Sequence, residues 1–140
     1  MSLTRRKFVG TTVTSAAALT VLPNLSLAEG AGEAISAYTG GAATSDTGLT
    51  LIAPEIAENG NTVQIEVSAP GAEEIVIFAD GNPNPNVATF KFGPAAGSQA
   101  ATTRIRLAGE QDVIAIAKMS DGTFAKAVSN VKVTIGGCGG

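Results

Sequence analysis

The chain has 140 residues, 44% hydrophobic and 15% charged, with a net charge of −3, one cysteine, no histidine and no tryptophan. That length suits one domain with a modest core, and the lack of histidine excludes Ser-His and Cys-His catalytic pairs and any metal centre built from histidine and cysteine. An acidic chain with 4% aromatic residues is also a poor candidate for binding nucleic acid.

At the N-terminus, Thr4-Arg5-Arg6-Lys7 precedes an uncharged stretch from Phe8 to Leu22, then Pro23 and Ser26-Leu27-Ala28. A charged region, an apolar region and a small-residue site in that order predict a signal peptide over residues 1–28, cleaved after Ala28. The pair Arg5-Arg6 marks it as a twin-arginine export signal, which predicts a periplasmic protein. The apolar stretch contains four threonines, a serine and a glycine, so it is short and polar for a membrane span. Beyond Ala28 lie 112 residues of net charge −6, with no polybasic patch for a membrane surface and no membrane anchor after cleavage. The twin-arginine route carries proteins already folded, often with a cofactor or partner attached. This chain has no ligand set for a cofactor, so a partner acquired before export is expected.

Residues 29–48 are rich in glycine, alanine and threonine. Glu33–Tyr38 predicts one or two helical turns stopped by Gly40-Gly41, and Ala42–Gly48 reads as a linker. From Leu49 the pattern is β. In Thr62–Ser68, Val63, Ile65 and Val67 alternate with polar residues, the mark of a half-buried strand. Glu74–Ala79 is a continuous apolar run rich in β-branched residues and predicts a central strand. Further strands are predicted at Val87–Phe92, Thr102–Leu107, Asp112–Met119, Thr123–Val128 and Asn130–Ile135. Turn pairs separate these runs, including Asn59-Gly60, Pro70-Gly71, Asp80-Gly81 and Asp121-Gly122, the last a strong hairpin signal. Seven short strands at this spacing predict an all-β, immunoglobulin-like antiparallel sandwich over residues 49–135, with a small barrel as the alternative. The loop Gly81-Asn82-Pro83-Asn84-Pro85-Asn86 is either a stiff connection or a surface for a partner. Glu73-Glu74 and the pair Glu55 and Glu58 read as solvated carboxylates.

The chain closes on Gly136-Gly137-Cys138-Gly139-Gly140. Free cysteines are usually buried, but four glycines at a chain end offer nothing to pack and little to restrain the backbone. Residues 136–140 are therefore expected to form a flexible C-terminal arm that presents the Cys138 thiol. Any disulfide at Cys138 must be intermolecular. Cys138 lies three residues beyond Ile135, which extended chain spans in roughly 10 Å. A thin arm of Gly136, Gly137, Gly139 and Gly140 can enter an active site too narrow for a folded domain, with substrate held covalently on the sulfur. These residues point to an exported, non-catalytic carrier that binds no cofactor or metal and depends on partners.

The ending Val131–Gly140 resembles that of the sulfur-carrier (SoxY) subunits of periplasmic thiosulfate-oxidising Sox systems. Pro54–Val63, Asn82–Phe92 and Thr103–Leu107 are similar too, as is the twin-arginine leader, so the resemblance covers nearly the whole chain. It implies an immunoglobulin-like fold and a Sox Z subunit as partner in a heterodimer or higher complex. It also implies that a haem cytochrome complex attaches thiosulfate oxidatively to Cys138, and that a manganese-dependent hydrolase releases the terminal sulfone as sulfate. In some systems a molybdenum-containing sulfane dehydrogenase would oxidise the remaining sulfur. Two other readings are a carrier that uses a thiocarboxylate on Gly140 and an exported structural domain that dimerises through Cys138. The leader and the cysteine itself argue against the first, and a carrier needs a cycling thiol, which a permanent disulfide would remove.

Overall fold

The structure, a computed structural model, describes residues 30–135. They form one helix, α1 (Gly30–Thr39), and the strands β1 (Thr44–Ser45), β2 (Thr50–Ile52), β3 (Ile56–Ala57), β4 (Val63–Ser68), β5 (Ala72–Ala79), β6 (Asn86–Lys91), β7 (Ala100–Ile105), β8 (Gln111–Met119) and β9 (Phe124–Val133). One sheet has the order β1-β9-β8-β5-β6, with β3 also paired to β9; the other has the order β2-β4-β7. The two separate sheets make an immunoglobulin-like sandwich rather than a barrel. All pairings are antiparallel except those of β1 and β3, which run parallel to β9.

The period-two pattern of β4 does what alternation requires: Val63, Ile65 and Val67 are buried while Gln64 is exposed. They meet Ile75, Ile77, Val113, Ala115, Ala117 and Val131 of the larger sheet in the main core, which Leu107 also enters. The unbroken apolar run of β5 has a different cause. Its other face supplies Val76 and Phe78, which join Ile114 and Ile116 of β8 in a second buried cluster under Ala31, Ala34, Ile35 and Tyr38 of α1. A strand covered on both faces has no polar side to alternate with.

The helix begins three residues earlier than its sequence suggests. Asp80, just past the end of β5, accepts the Ala31 N–H at 2.9 Å and so satisfies one of the free donors of the first turn. Gly30 has φ +46°, and a Cβ there would collide with the Asp80 carboxylate and lie 2.8 Å from its carbonyl oxygen. Asp80→Ala is expected to cost about 1 kcal/mol, the usual worth of a helix N-cap, measurable as a lowered urea midpoint with an unchanged slope. The helix ends where Gly40 and Gly41 take φ +65° and +80° and the Gly41 N–H reaches back to the Ser36 carbonyl. Tyr38 packs edge-on against Phe124, with ring centroids 5.8 Å apart. Its hydroxyl is buried without a hydrogen-bond partner among the described residues. Burial pushes its pKa up, and the neighbouring Glu74 carboxylate pushes the same way.

Two predicted strands, Thr123–Val128 and Asn130–Ile135, are one. β9 runs through Ser129-Asn130 in unbroken register with β8, from Lys118↔Phe124 to Gln111↔Val131. The hairpin sets that register. Gly122 takes φ +86°, and the Asp121 carboxylate accepts the Thr123 hydroxyl at 2.6 Å and its N–H at 2.9 Å, which holds Asp121 below the usual carboxylate range. Asn130 does not turn the chain because Asp112 lies opposite and accepts its side-chain amide at 2.9 Å. β7 starts and ends two residues before the predicted Thr102–Leu107.

The asparagine-proline loop is tied to the segment after β7 by its first asparagine. Asn82 donates to the Arg106 carbonyl at 2.7 Å, and its side-chain oxygen accepts the Ala108 N–H at 2.9 Å. It thus stands in for a strand neighbour on the open side of the segment that follows β7. Buried Gln111 completes the clasp, donating to Asn82 at 3.0 Å and accepting the Gly81 N–H at 2.8 Å.

Candidate functional site

The predicted attachment residue Cys138 and the arm glycines Gly136, Gly137, Gly139 and Gly140 lie outside the described residues, as do Arg5, Arg6 and the rest of residues 1–28. The structure describes the base from which the tail departs. β9 brings the chain there, and its pairing with β8 stops at Val131. A second partner then takes over. Ile56 and Ala57 of β3 pair with Lys132 and Val133, and the Lys132 N–H donates to the Glu55 carbonyl at 2.9 Å.

Past the last β9 residue the hold continues. The Thr134 N–H donates to the Ala57 carbonyl at 3.0 Å, and the Gly60 N–H donates to the Ile135 carbonyl at 2.8 Å. The Thr134 hydroxyl donates to the Glu58 carbonyl at 2.9 Å, with the Ala57 carbonyl at 3.4 Å. Gly60 is buried and also accepts the Leu107 N–H at 2.8 Å. Residues 55–60 therefore form a strap that ties the end of β9, in one sheet, to the segment following β7, in the other. The predicted Asn59-Gly60 turn lies within it. Its Asn59 side chain accepts the Asn61 N–H at 2.9 Å, a local turn that asparagine favours.

Glu55 and Glu58 are exposed on the strap, as solvated carboxylates are expected to be. Ile56 and Ile135 stand beside them 59% and 65% exposed, unusual for isoleucines. Glu73 is exposed and Glu74 half-buried at the other end of the sandwich, where Lys91 approaches Glu74 at 3.9 Å. That pair is worth little, since the lysine side chain is 80% exposed. An open depression of about 590 Å³ lies at this far end, lined by both glutamates, Lys91 and Lys118. No group of three or more metal-ligating side chains occurs among the described residues.

The sequence places Thr134 in a predicted strand, Asn130–Ile135, and marks residues 55–60 only by an Asn59-Gly60 turn and two solvated carboxylates. The contact that gives them a role joins positions 76 residues apart, and no local pattern encodes it.

A family model described as sulfur oxidation protein SoxY matches residues 35–138. The chain belongs to the SoxY family. The match starts within α1, crosses both sheets and the strap, and ends on the only cysteine. Among solved structures, the SoxY sulfur carrier protein from Chlorobium limicola f thiosulfatophilum is 36% identical, with a TM-score of 0.61 over 74% of this chain and 94% of that one. A superoxide reductase (neelaredoxin) from Ignicoccus hospitalis is 22% identical, with a TM-score of 0.51 over 61% of this chain and 79% of that one. A putative superoxide reductase from Thermotoga maritima is 20% identical, with a TM-score of 0.51 over 61% and 84%. At that identity the reductases share the sandwich with this SoxY-family chain, and the likeness says nothing of its chemistry. No curated protein matches the chain at significant similarity.

Proposed function

We propose that this SoxY-family protein is a non-catalytic carrier that holds sulfur intermediates covalently on Cys138 during periplasmic thiosulfate oxidation. One observation carries the reading: the family match runs to residue 138, so the family's pattern reaches the one thiol in the chain. The 36% identity to a protein described as a sulfur carrier supports the same role.

In this reading a haem cytochrome complex removes two electrons as the Cys138 thiol and the sulfane sulfur of thiosulfate form a disulfide bond. The thiol proton is released, and Cys138 then bears an S-linked thiosulfonate. A manganese-dependent hydrolase adds water across the terminal S–S bond, which frees sulfate and a proton and leaves a persulfide on Cys138. A sulfane dehydrogenase, where the host has one, oxidises that remaining sulfur. The protein's own part is to offer the thiol and keep the cargo attached between these steps. Arg5-Arg6 would direct export in complex with a Sox Z subunit.

The test is an intact mass spectrum of the protein purified from the periplasm of cells grown on thiosulfate, taken before and after reductant. Adducts of thiosulfonate or persulfide mass that reductant removes are expected. Bare monomer together with a disulfide-linked dimer, and no sulfur adduct, would overturn the carrier reading in favour of a structural dimer.

A further inference from the structure

The segment that precedes the tail is held by a device the carrier chemistry does not itself require. After Val131, β8 no longer supports β9. From Lys132 to Ile135 the backbone is bonded to the 55–60 strap, through Lys132 N–H to Glu55, Thr134 N–H to Ala57 and Gly60 N–H to Ile135. Only one side chain of residues 132–135 adds a hydrogen bond, the Thr134 hydroxyl on the Glu58 carbonyl at 2.9 Å. The strap is itself anchored, because Gly60 accepts the Leu107 N–H and Ala57 and Leu107 are both part of the main core.

We infer that the strap, closed by Thr134, positions the carrier thiol by fixing the point at which the arm begins. The inference rests on the carrier reading above. With the strap closed, its hydrogen bonds hold the backbone as far as Ile135, and the three residues on to Cys138 span at most roughly 10 Å. With it open, the hold would end with the β8 pairing at Val131, and the seven residues on to Cys138 span at most roughly 23–25 Å. For a tether whose shorter form already reaches a docked target, effective concentration falls roughly as the −3/2 power of its length. Opening the strap therefore dilutes Cys138 roughly three- to fourfold at a partner's active site while leaving the sulfur chemically unchanged. Thr134 is a positioning residue in this scheme, since it acts through the backbone and touches no cargo.

Three variants of the full chain test this, each with its partner subunit. Thr134→Val removes the hydroxyl and keeps the shape. Thr134→Ser keeps the hydroxyl. Thr134→Pro removes both the hydroxyl and the N–H, at a residue beyond the β9 ladder. Amide hydrogen exchange at Lys132 and Gly60 is expected to quicken roughly two- to tenfold in Thr134→Val, the worth of one hydrogen bond, further in Thr134→Pro, and to stay near wild type in Thr134→Ser. Exchange in β5 and β8 should not change in any of them.

Cys138 loading with thiosulfate and the haem cytochrome complex supplies the second readout. In Thr134→Pro the rate at saturating partner is expected to fall roughly three- to fourfold, with half-saturation unchanged and alkylation of free Cys138 by iodoacetamide as fast as in wild type. A loss of folded protein would instead lower the fraction that loads and leave the rate of the remainder alone. Wild-type exchange at Lys132 and Gly60 in Thr134→Pro would overturn the inference, and so would quickened exchange with wild-type loading. Loading that persists in Cys138→Ser would sink the carrier reading itself, whatever the Thr134 variants do.

Discussion

Cys138→Ser is expected to fold as wild type does and to carry no sulfur at all. The substitution exchanges one atom, but the chemistry asked of that atom is specific to sulfur. A thiolate forms a disulfide with a sulfane sulfur and survives the cycle as a persulfide; an alcohol oxygen does neither. The fold should not register the change. Both buried clusters and every hydrogen bond described above are made by residues 30–135, and substitutions away from such features usually shift stability by no more than about 0.5 kcal/mol. Thermal melts of the two proteins should therefore superimpose within a few degrees, while mass spectra after incubation with thiosulfate and the partner enzymes show an adduct on one and none on the other. A carrier that used a thiocarboxylate on Gly140 would load both. Sulfur on the serine variant at a tenth of the wild-type level or more would remove Cys138 from the scheme.

What could be read in the sequence, and what could not, divides along the range of the interactions. Val63, Ile65 and Val67 alternate because one face of one strand meets the core, a fact contained in seven consecutive residues. Asp121-Gly122 and Pro70-Gly71 were legible because glycines at φ +86° and +85° relieve a strain that belongs to the turn itself. Other features depend on distant partners. The start of α1 is fixed by Asp80, 49 residues away from Ala31. Ser129-Asn130 looks like a strand break and is not one, because Asp112 lies opposite Asn130. β1 and β3 have two residues each, too few to show a period, and exist only because the ends of β9 offer parallel pairing partners. The candidate site divides the same way. Its thiol and glycines stand out in a pentapeptide, whereas the strap joins residues 55–60 to Leu107 and to residues 132–135 by backbone hydrogen bonds that leave no local pattern, with the Thr134 hydroxyl the one side chain of 132–135 that adds to them.

The second cluster, between β5, β8 and α1, holds the largest fully buried side chain among the described residues. Phe78 is its largest member and is 1% exposed; the Tyr38 ring lies 6.2 Å away, tilted by 59°. Phe78→Ala is expected to destabilise the domain by about 3–5 kcal/mol, from the lost transfer of a ring out of water and from the cavity left behind. The helix covers this face through few side chains and cannot collapse onto the void without drawing its Ala31 N–H away from Asp80. A residual cavity is therefore expected, together with a fall in melting temperature large enough to see in a simple thermal scan. The cluster lies on the face of the larger sheet that turns away from the main core, and neither the strap nor Thr134 belongs to it. Well below its melting temperature, Phe78→Ala should then load Cys138 at the wild-type rate per folded molecule. A slowed rate in the folded fraction would mean that α1 and the strap are coupled through the sheet, and that the position of the arm is set by the whole sandwich rather than at its root.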